Sequence, residues 1–138
     1  MAKHILYNAS VVLNSVDLSD HVRKVSFVST IIDQPANAMA DLEEYSMPGL
    51  RKISPISVEM FQDFAASKVY ATIMTLWTNR TSFNAVMKLD SGAVSATNPS
   101  FTVSVYVSSF PVIDGSHGDA HMSAMVLQPA GVMTIATS

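Results

Sequence analysis

The segment 101–110 constrains the fold most, because apolar and polar residues alternate along nearly its whole length. Successive side chains of a β-strand point to opposite faces of the sheet, so this period of two predicts a strand with one buried face. The face predicted to point inward consists of Phe101, Val103, Val105 and Val107. The opposite face is polar and uncharged, and it consists of Thr102, Ser104, Tyr106 and Ser108. A chain with such a strand needs a sheet and a second layer that covers its apolar face.

Five further segments have the composition or alternation of strands, and we predict strands at 11–13, 22–32, 53–62, 81–89 and 120–128. One segment, 65–78, has apolar residues at helical spacing and predicts a single helix. The residues predicted to anchor this helix in the core are Val69, Ile73, Leu76 and Trp77, and Asp63 is placed to cap its first turn. The expected fold is mainly β: a β-sandwich or half-barrel with one flanking α-helix, in one domain over residues 1–138.

Between residues 33 and 52 the alternation stops, and Pro35, Asn37, Pro48 and Gly49 interrupt any regular element. A structureless stretch of this length is unusual inside a compact domain and is typical of a functional loop. The segment also concentrates charge, in the residues Asp41, Glu43, Glu44, Arg51 and Lys52. We therefore predict a long loop that contacts another subunit through these five side chains. The remaining residues, 129–138, have little pattern and are predicted as a C-terminal tail.

The composition limits the classes of protein to consider. Charged residues make up 14% of the chain, against roughly 25% in an average soluble domain. Hydrophobic residues make up 49%, and the mean hydropathy is +0.29, yet no apolar run approaches the ~20 residues of a membrane helix. Such a chain either buries surface against copies of itself or is a small soluble domain with a Ser- and Thr-rich surface. The net charge of −3 argues against a protein that grips nucleic acid.

The chain offers no constellation of residues for catalysis, so we predict no enzyme, no cofactor and no metal site. It has no cysteine, which excludes disulfides and thiolate chemistry. His117 and His121 have the spacing that binds a metal on a helix, but they fall in a glycine-containing hairpin region, which favours a surface turn. Glu59 and Asp63 are the one pair that suggests a glycosidase. A strand position for Glu59 and a helix cap for Asp63 account for them more simply.

Four stretches of sequence occur in an order that resembles a known family. They are VDLSDHV at 16–22; PGL at 48–50 with FQDFAA at 61–66 before a helix that contains LW at 76–77; VSATNP at 94–99; and DG with GD at 114–119. Together they resemble the tail tube subunits of long, non-contractile-tailed bacteriophages, over about residues 8–128. None of these motifs is catalytic, and their order and spacing carry the resemblance. The segment 36–40 departs from the family's pattern, because it lacks the glycine often found there.

The resemblance implies hexameric rings in which each subunit lends strands to a shared inner β-barrel, and stacking of these rings into a tube that carries the genome from capsid to host. The implied partners are further copies of the chain, tail-tip, tape-measure and terminator proteins, and double-stranded DNA that passes without tight binding. No membrane anchor is implied. The expected location is the tail of a virion, after assembly in the cytoplasm of the bacterial host; Asn8 and Asn14 would interrupt the apolar core of a signal peptide.

A lining that lets DNA slide must be polar and must not present positive charge to the phosphates. The candidate lumen lining is therefore Glu59, Thr102, Ser104, Tyr106 and Ser108. Alternation alone leaves open which face of the sheet looks inward. Two alternatives to a tail tube subunit remain at this point. One is another small β-rich assembly protein, such as a tail terminator, the inner tube of a contractile machine or a capsid decoration protein. The other is a carbohydrate-binding β-sandwich.

Overall fold

The computed structural model describes residues 8–138, which form ten strands and one helix. The strands are β1 (Ser10–Leu13), β2 (Val16–Asp17), β3 (Val22–Ser26), β4 (Ser29–Pro35), β5 (Ser46–Ile53), β6 (Ile56–Phe61), β7 (Phe83–Lys88), β8 (Ser100–Ser109), β9 (Met122–Pro129) and β10 (Thr134–Ala136). The helix α1 (Val69–Asn79) lies between β6 and β7. All paired strands are antiparallel, which confirms the prediction of a mainly β fold with one flanking helix.

Most strands belong to one large sheet, in the order β2-β1-β7-β8-β9-β6-β3, and β4 and β5 form a separate two-stranded sheet. The long strand β8 has two successive partners on one side. Its second half pairs with β9, starting at Val105 opposite Pro129, and its first half pairs with β10, where Thr102 lies opposite Thr134. The segment 129–138, predicted as an unpatterned tail, is therefore partly built into the sheet. Its three-residue strand is too short for alternation to reveal it.

The large sheet curls so that its two ends approach each other. Val11 of β1 and Val25 of β3 line the same cleft, although four other strands separate β1 from β3 in the sheet order. The ring of Phe27, which follows β3, lies 6.3 Å from the ring of Phe101 on β8. The curl encloses a core to which every second residue of the central strands contributes, and α1 closes it beside β8. The architecture is thus a half-barrel with a helix packed on it.

The stripe of α1 that faces this core is narrower than predicted. Val69, Ile73 and Leu76 are buried, but Trp77 is 50% exposed and is not a core anchor. At about 100° per residue, Trp77 lies roughly 70° from the centre of the stripe formed by the other three residues, and so reaches only its edge.

The helix also begins later than predicted, at Val69 rather than near residue 65. Ser67 has a φ of 60°, a left-handed conformation that no right-handed helix can include. The Asp63 carboxylate therefore does not cap α1. It accepts a hydrogen bond from the Ala65 amide at 2.9 Å, while the carbonyl of Asp63 accepts one from the amide of Tyr70 at 3.0 Å.

The largest correction concerns the segment 33–52, which is a β-hairpin and not a loop. β4 and β5 pair from Ser29 opposite Ile53 to Pro35 opposite Ser46. Alternation failed to reveal these strands because both faces of the hairpin are exposed, so no face selects for apolar residues. The strand predicted over 22–32 is correspondingly two strands, β3 in the large sheet and β4 in the hairpin, with a break at Phe27 and Val28.

Candidate assembly surfaces

The motifs that carry the family resemblance stabilise turns of the fold. In the first motif the Ser19 hydroxyl accepts a hydrogen bond from the Val11 amide at 2.8 Å, while Asp17 accepts one from the Ser19 amide at 3.0 Å and Leu18 is fully buried. In the third, the side chain of Asn98 accepts from the Asp90 amide and donates to the Asp90 carbonyl, both at 3.1 Å. These two motifs hold loops in place, whereas Pro48-Gly49-Leu50 of the second motif lies on β5.

Hairpin β4–β5 is the first candidate surface. Every residue of β4 is exposed, and so is every residue of β5 except Ile53. The exposed large apolar side chains of this region are Val28, Ile31, Ile32, Met39, Leu42, Tyr45, Met47 and Leu50. A two-stranded hairpin is marginally stable by itself in water. An apolar hairpin without cover on either face is therefore a candidate interaction surface.

The strands of this hairpin approach each other closely at Gly49. A Cβ atom at that position would lie 2.5 Å from the carbonyl oxygen of Ile32 and 3.0 Å from Cγ of Gln34. Ile32 lies where the register shifts between Ile31 and Asp33, so the close approach accompanies a β-bulge. Only glycine fits here without moving a strand.

The tip of the hairpin, residues 36–45, is held by side chains rather than by glycine. Asn37 donates to the Glu43 carbonyl at 2.7 Å and accepts from the Tyr45 amide at 3.2 Å. Asp41 accepts from the Ala38 amide at 2.6 Å and from the Tyr45 hydroxyl at 3.0 Å. Asp41 was predicted to contact another subunit, but its carboxylate is engaged inside the tip.

The same tip displays apolar and acidic side chains outward. Met39 and Leu42 have relative exposures of 107% and 101%, and Glu43 and Glu44 are exposed beside them. Sequence reasoning selected the two glutamates and missed Met39 and Leu42. The signal was available, because long apolar side chains in a charged segment without periodicity have no core to enter.

At the other end of the hairpin, Arg51 and Lys52 line an open cleft of about 830 Å³. The cleft lies between the base of the hairpin and the segment 129–133, which links β9 to β10. Its apolar walls include Ile31, Leu50 and Val132, all of them exposed. The structure thus places the five predicted charged residues in two separate groups, at the tip and at the base.

The outward face of the large sheet is the second candidate surface. On β8 its residues are Thr102, Ser104, Tyr106 and Ser108, of which Tyr106 and Ser108 are exposed and the other two half-buried. This face continues onto β7 with Asn84 opposite Ser104 and onto β9 with Gln128 opposite Tyr106. An uncharged polar strip therefore runs across three neighbouring strands.

Glu59 lies on the same face, next to two basic side chains. One of its carboxylate oxygens is 3.8 Å from Nη1 of Arg23, and Lys24 is its direct partner across β3 and β6. Both basic residues are exposed. The negative charge of this candidate lining residue is thus offset by two neighbouring positive charges.

A cluster that the sequence did not reveal connects the turn before β3 to the turn before α1. Nδ1 of His21 lies 2.8 Å from Asp20 and Nε2 lies 2.9 Å from Asp63, and both nitrogens donate to these carboxylates when the ring is protonated. The pKa of His21 is raised, first by the hydrogen bond to Asp20 and then by that to Asp63. The pKa of Asp63 is lowered, mainly by the Ala65 amide and then by His21, and His21 likewise lowers the pKa of Asp20. Asp63 lies 42 residues from His21, so spacing gives no hint of the cluster.

The histidines considered for a metal site have other surroundings. His121 stacks on Phe64, with ring centroids 5.8 Å apart, and its Nε2 accepts a hydrogen bond from the Asp114 amide at 3.3 Å. His117 lies in an exposed turn. Within residues 8–138, no three side chains of His, Asp or Glu come together as metal ligands. Over the same range, no helix is long and apolar enough to cross a bilayer.

No family model matches the chain, and no curated protein matches it. Solved structures do. A chain of the virion of the native gene transfer agent particle superposes with a TM-score of 0.72 at 10% identity, covering 94% of this chain and 96% of that one. A chain of the tube-terminating cap of the anti-feeding prophage has a TM-score of 0.70 at 16% identity, with 100% and 93% covered. A chain of the sheath–tube complex of an extracellular contractile injection system has a TM-score of 0.67 at 14% identity, with 97% of this chain and 91% of that chain covered.

The chain shares its fold with these components of tail and tube assemblies. The similarity covers nearly the whole length of each chain, so it includes the hairpin as well as the half-barrel. Identities of 10–16% carry the fold and not the function.

Proposed function

We propose that this chain is a structural virion subunit that polymerises as stacked, hexameric rings into a tail tube, through which DNA passes into the host. The observation that carries the proposal is hairpin β4–β5, whose two uncovered faces project from a domain with the tail-tube fold. Its exposed apolar side chains need cover, and further copies of the same chain can provide it in a repeating assembly. One related structure is a gene transfer agent tail with C6 symmetry, which supports the choice of six subunits.

Ring formation also accounts for the large sheet. Its order begins at β2 and ends at β3, so both ends present strand edges. Exposed edges favour pairing with another chain, and closing a barrel between subunits removes them. We propose that strands of neighbouring subunits form one continuous inner barrel.

We propose the uncharged strip of Thr102, Ser104, Tyr106 and Ser108 as the lining of the lumen. Hydroxyl groups offer phosphates no ion pair, so DNA passes without the counterion release that makes binding tight. Glu59 is left out of this lining because Arg23 offsets its charge. Replacing Ser104 with Lys should slow genome release without blocking assembly, whereas Ser104→Thr should leave release unchanged. Equal infectivity of the two variants would count against this placement.

The partners of such a tube are further copies of the chain, together with tail-tip, tape-measure and terminator proteins. We place its assembly in the host cytoplasm and its final location in the virion tail. The role is mechanical and requires no cofactor or catalytic step.

Negative-stain electron microscopy of the purified chain tests the proposal directly. Hollow tubes with a regular axial repeat, or six-fold rings, are the expected result. A chain that stays monomeric at every concentration, even when sonicated fragments of virion tails are added as seeds, would overturn it.

A second candidate is the inner tube of a contractile machine, which the similarity to the sheath–tube complex favours. The two functions differ in the outer surface of the tube. Isolation of the chain from native particles separates them: a second protein that surrounds the tube as a sheath indicates the contractile machine, and a bare tube indicates the non-contractile tail.

A further inference from the structure

The hairpin carries opposite charges at its two ends. Glu43 and Glu44 lie at the tip, and Arg51 and Lys52 lie at the base. Arg51 lies seven positions after Glu44, mostly along β5, which corresponds to a span of about 23 Å at ~3.3 Å per residue. Within residues 8–138, none of these four side chains has an oppositely charged partner within 4.0 Å. The charges cannot meet within one molecule, but they complement each other between molecules.

The apolar residues of the hairpin follow the same division. The tip offers Met39 and Leu42 as projecting side chains, and the base cleft offers Ile31, Leu50 and Val132 as its walls. The volume of about 830 Å³ is within the range of pockets that enclose a ligand much larger than one side chain. The cleft is therefore large enough to accept the apolar side chains of a tip, and the charges at the two ends are opposite.

The tip is also ordered before any contact forms. The hydrogen bonds of Asn37 and Asp41 to the backbone and to Tyr45 fix its conformation in the single chain. A segment that is already ordered loses less conformational entropy on binding. This organisation favours docking of the tip.

We infer that the hairpin tip of one copy docks into the hairpin-base cleft of a second copy, with Met39 and Leu42 against the apolar walls and Glu43 and Glu44 facing Arg51 and Lys52. The inference rests on the proposed polymerisation and specifies one of its contacts. The contact is heterologous, since each copy uses a different surface from its neighbour. Every copy that docks its tip therefore leaves its own cleft open for the next, so the assembly continues without closing on a pair.

Reciprocal charge reversal tests the contact. Glu43→Lys with Glu44→Lys, and separately Arg51→Glu with Lys52→Glu, should each raise the concentration needed for tube growth by at least about tenfold, because like charges then oppose each other. Combining all four substitutions restores opposite signs and should return that concentration to within about threefold of the wild type. The docking would be refuted if the charge reversals left the concentration needed for tube growth unchanged. It would also be refuted if the quadruple variant needed as high a concentration as the two double variants.

Engineered cysteines provide a second measurement, which is clean because the natural chain has none. A chain with Glu44→Cys and Arg51→Cys cannot bridge internally, since a disulfide needs Cα atoms within about 7 Å. Oxidation of assembled protein should yield a ladder of covalent multimers on a non-reducing gel. The matched controls, Glu44→Cys alone and Arg51→Cys alone, should give no species larger than a dimer.

The two proposals fail separately. If the wild type forms tubes but the double-cysteine variant gives no ladder and the quadruple charge variant shows no rescue, the docking is refuted. The proposed tail-tube function is then unaffected. A wild-type chain that never assembles would remove the function, whatever the cysteines do. A ladder between copies that form no tube would preserve the contact and refute the tube.

Discussion

Truncation of Leu42 separates an effect on assembly from an effect on folding. Leu42 is fully exposed at the hairpin tip, with a relative exposure of 101%. Replacing it with Ala removes no contact within the core, so the thermal unfolding midpoint of the single chain should stay within about 1 °C of the wild type.

The effect on assembly follows from the area that the contact buries. Leu→Ala removes three carbon groups worth about 0.8 kcal/mol each when fully buried, or about 2 kcal/mol if packing in the cleft is slightly incomplete. Since 1.4 kcal/mol corresponds to a factor of ten, the concentration needed for tube growth should rise roughly 30-fold. Met39→Ala should act in the same direction, because Met39 projects from the same tip.

The measurement is the protein concentration left in the supernatant after tubes grown from wild-type seeds have been sedimented. Leu42→Met is the matched control, since it keeps the apolar surface and should assemble like the wild type. The reasoning fails if Leu42→Ala leaves the residual concentration within about twofold of the wild type. It fails equally if the substitution lowers the unfolding midpoint, because the side chain would then belong to the fold.

Three further predictions concern single residues. Gly49→Ala places a Cβ atom 2.5 Å from the Ile32 carbonyl oxygen and should abolish tube growth. Because the hairpin is a separate sheet, the thermal unfolding midpoint of the half-barrel, measured by circular dichroism, should be nearly unchanged. His21 has a raised pKa, so its stabilising contribution is complete below its ordinary value of 6.5 and is lost as the pH rises through the folded-state value; urea unfolding should show this loss in the wild type as the pH is raised above 6.5 but not in His21→Gln. Leu127→Ala opens a cavity at a fully buried position and should lower the free energy of unfolding by about 2–5 kcal/mol in urea titrations, and a smaller loss would mean that the core collapses around it.

Burial decided how much of the fold could be predicted from the sequence. Where one face of a strand lies against the core, alternation identified the strand and its inner face, as for Val103, Val105 and Val107 on β8. The hairpin was missed as secondary structure because neither of its faces is buried. β10 was missed because three residues carry no measurable period.

The candidate surfaces were predictable in position but not in geometry. The concentration of charge in 33–52 pointed to the hairpin, yet only the structure shows that Asp41 is used within the tip while Arg51 lies at the opposite end. Likewise Glu59 stands on the predicted face of its strand, and its neutralising neighbour Arg23 comes from a strand 36 positions earlier. The contact depends on the pairing of β3 with β6, and local patterns do not show which distant strands become neighbours.

The dimensions of hairpin β4–β5 have a consequence for the whole particle. Each strand adds ~3.3 Å per residue, so the distance between tip and base is a fixed length that every copy of the chain repeats. If successive copies are joined end to end through this hairpin, the length of the hairpin sets the axial rise of the polymer. Lengthening both strands by two residues would preserve which side chains share a face and would change the rise by at most about 7 Å. The spacing of a structure hundreds of subunits long would then be set by how many residues one exposed hairpin contains.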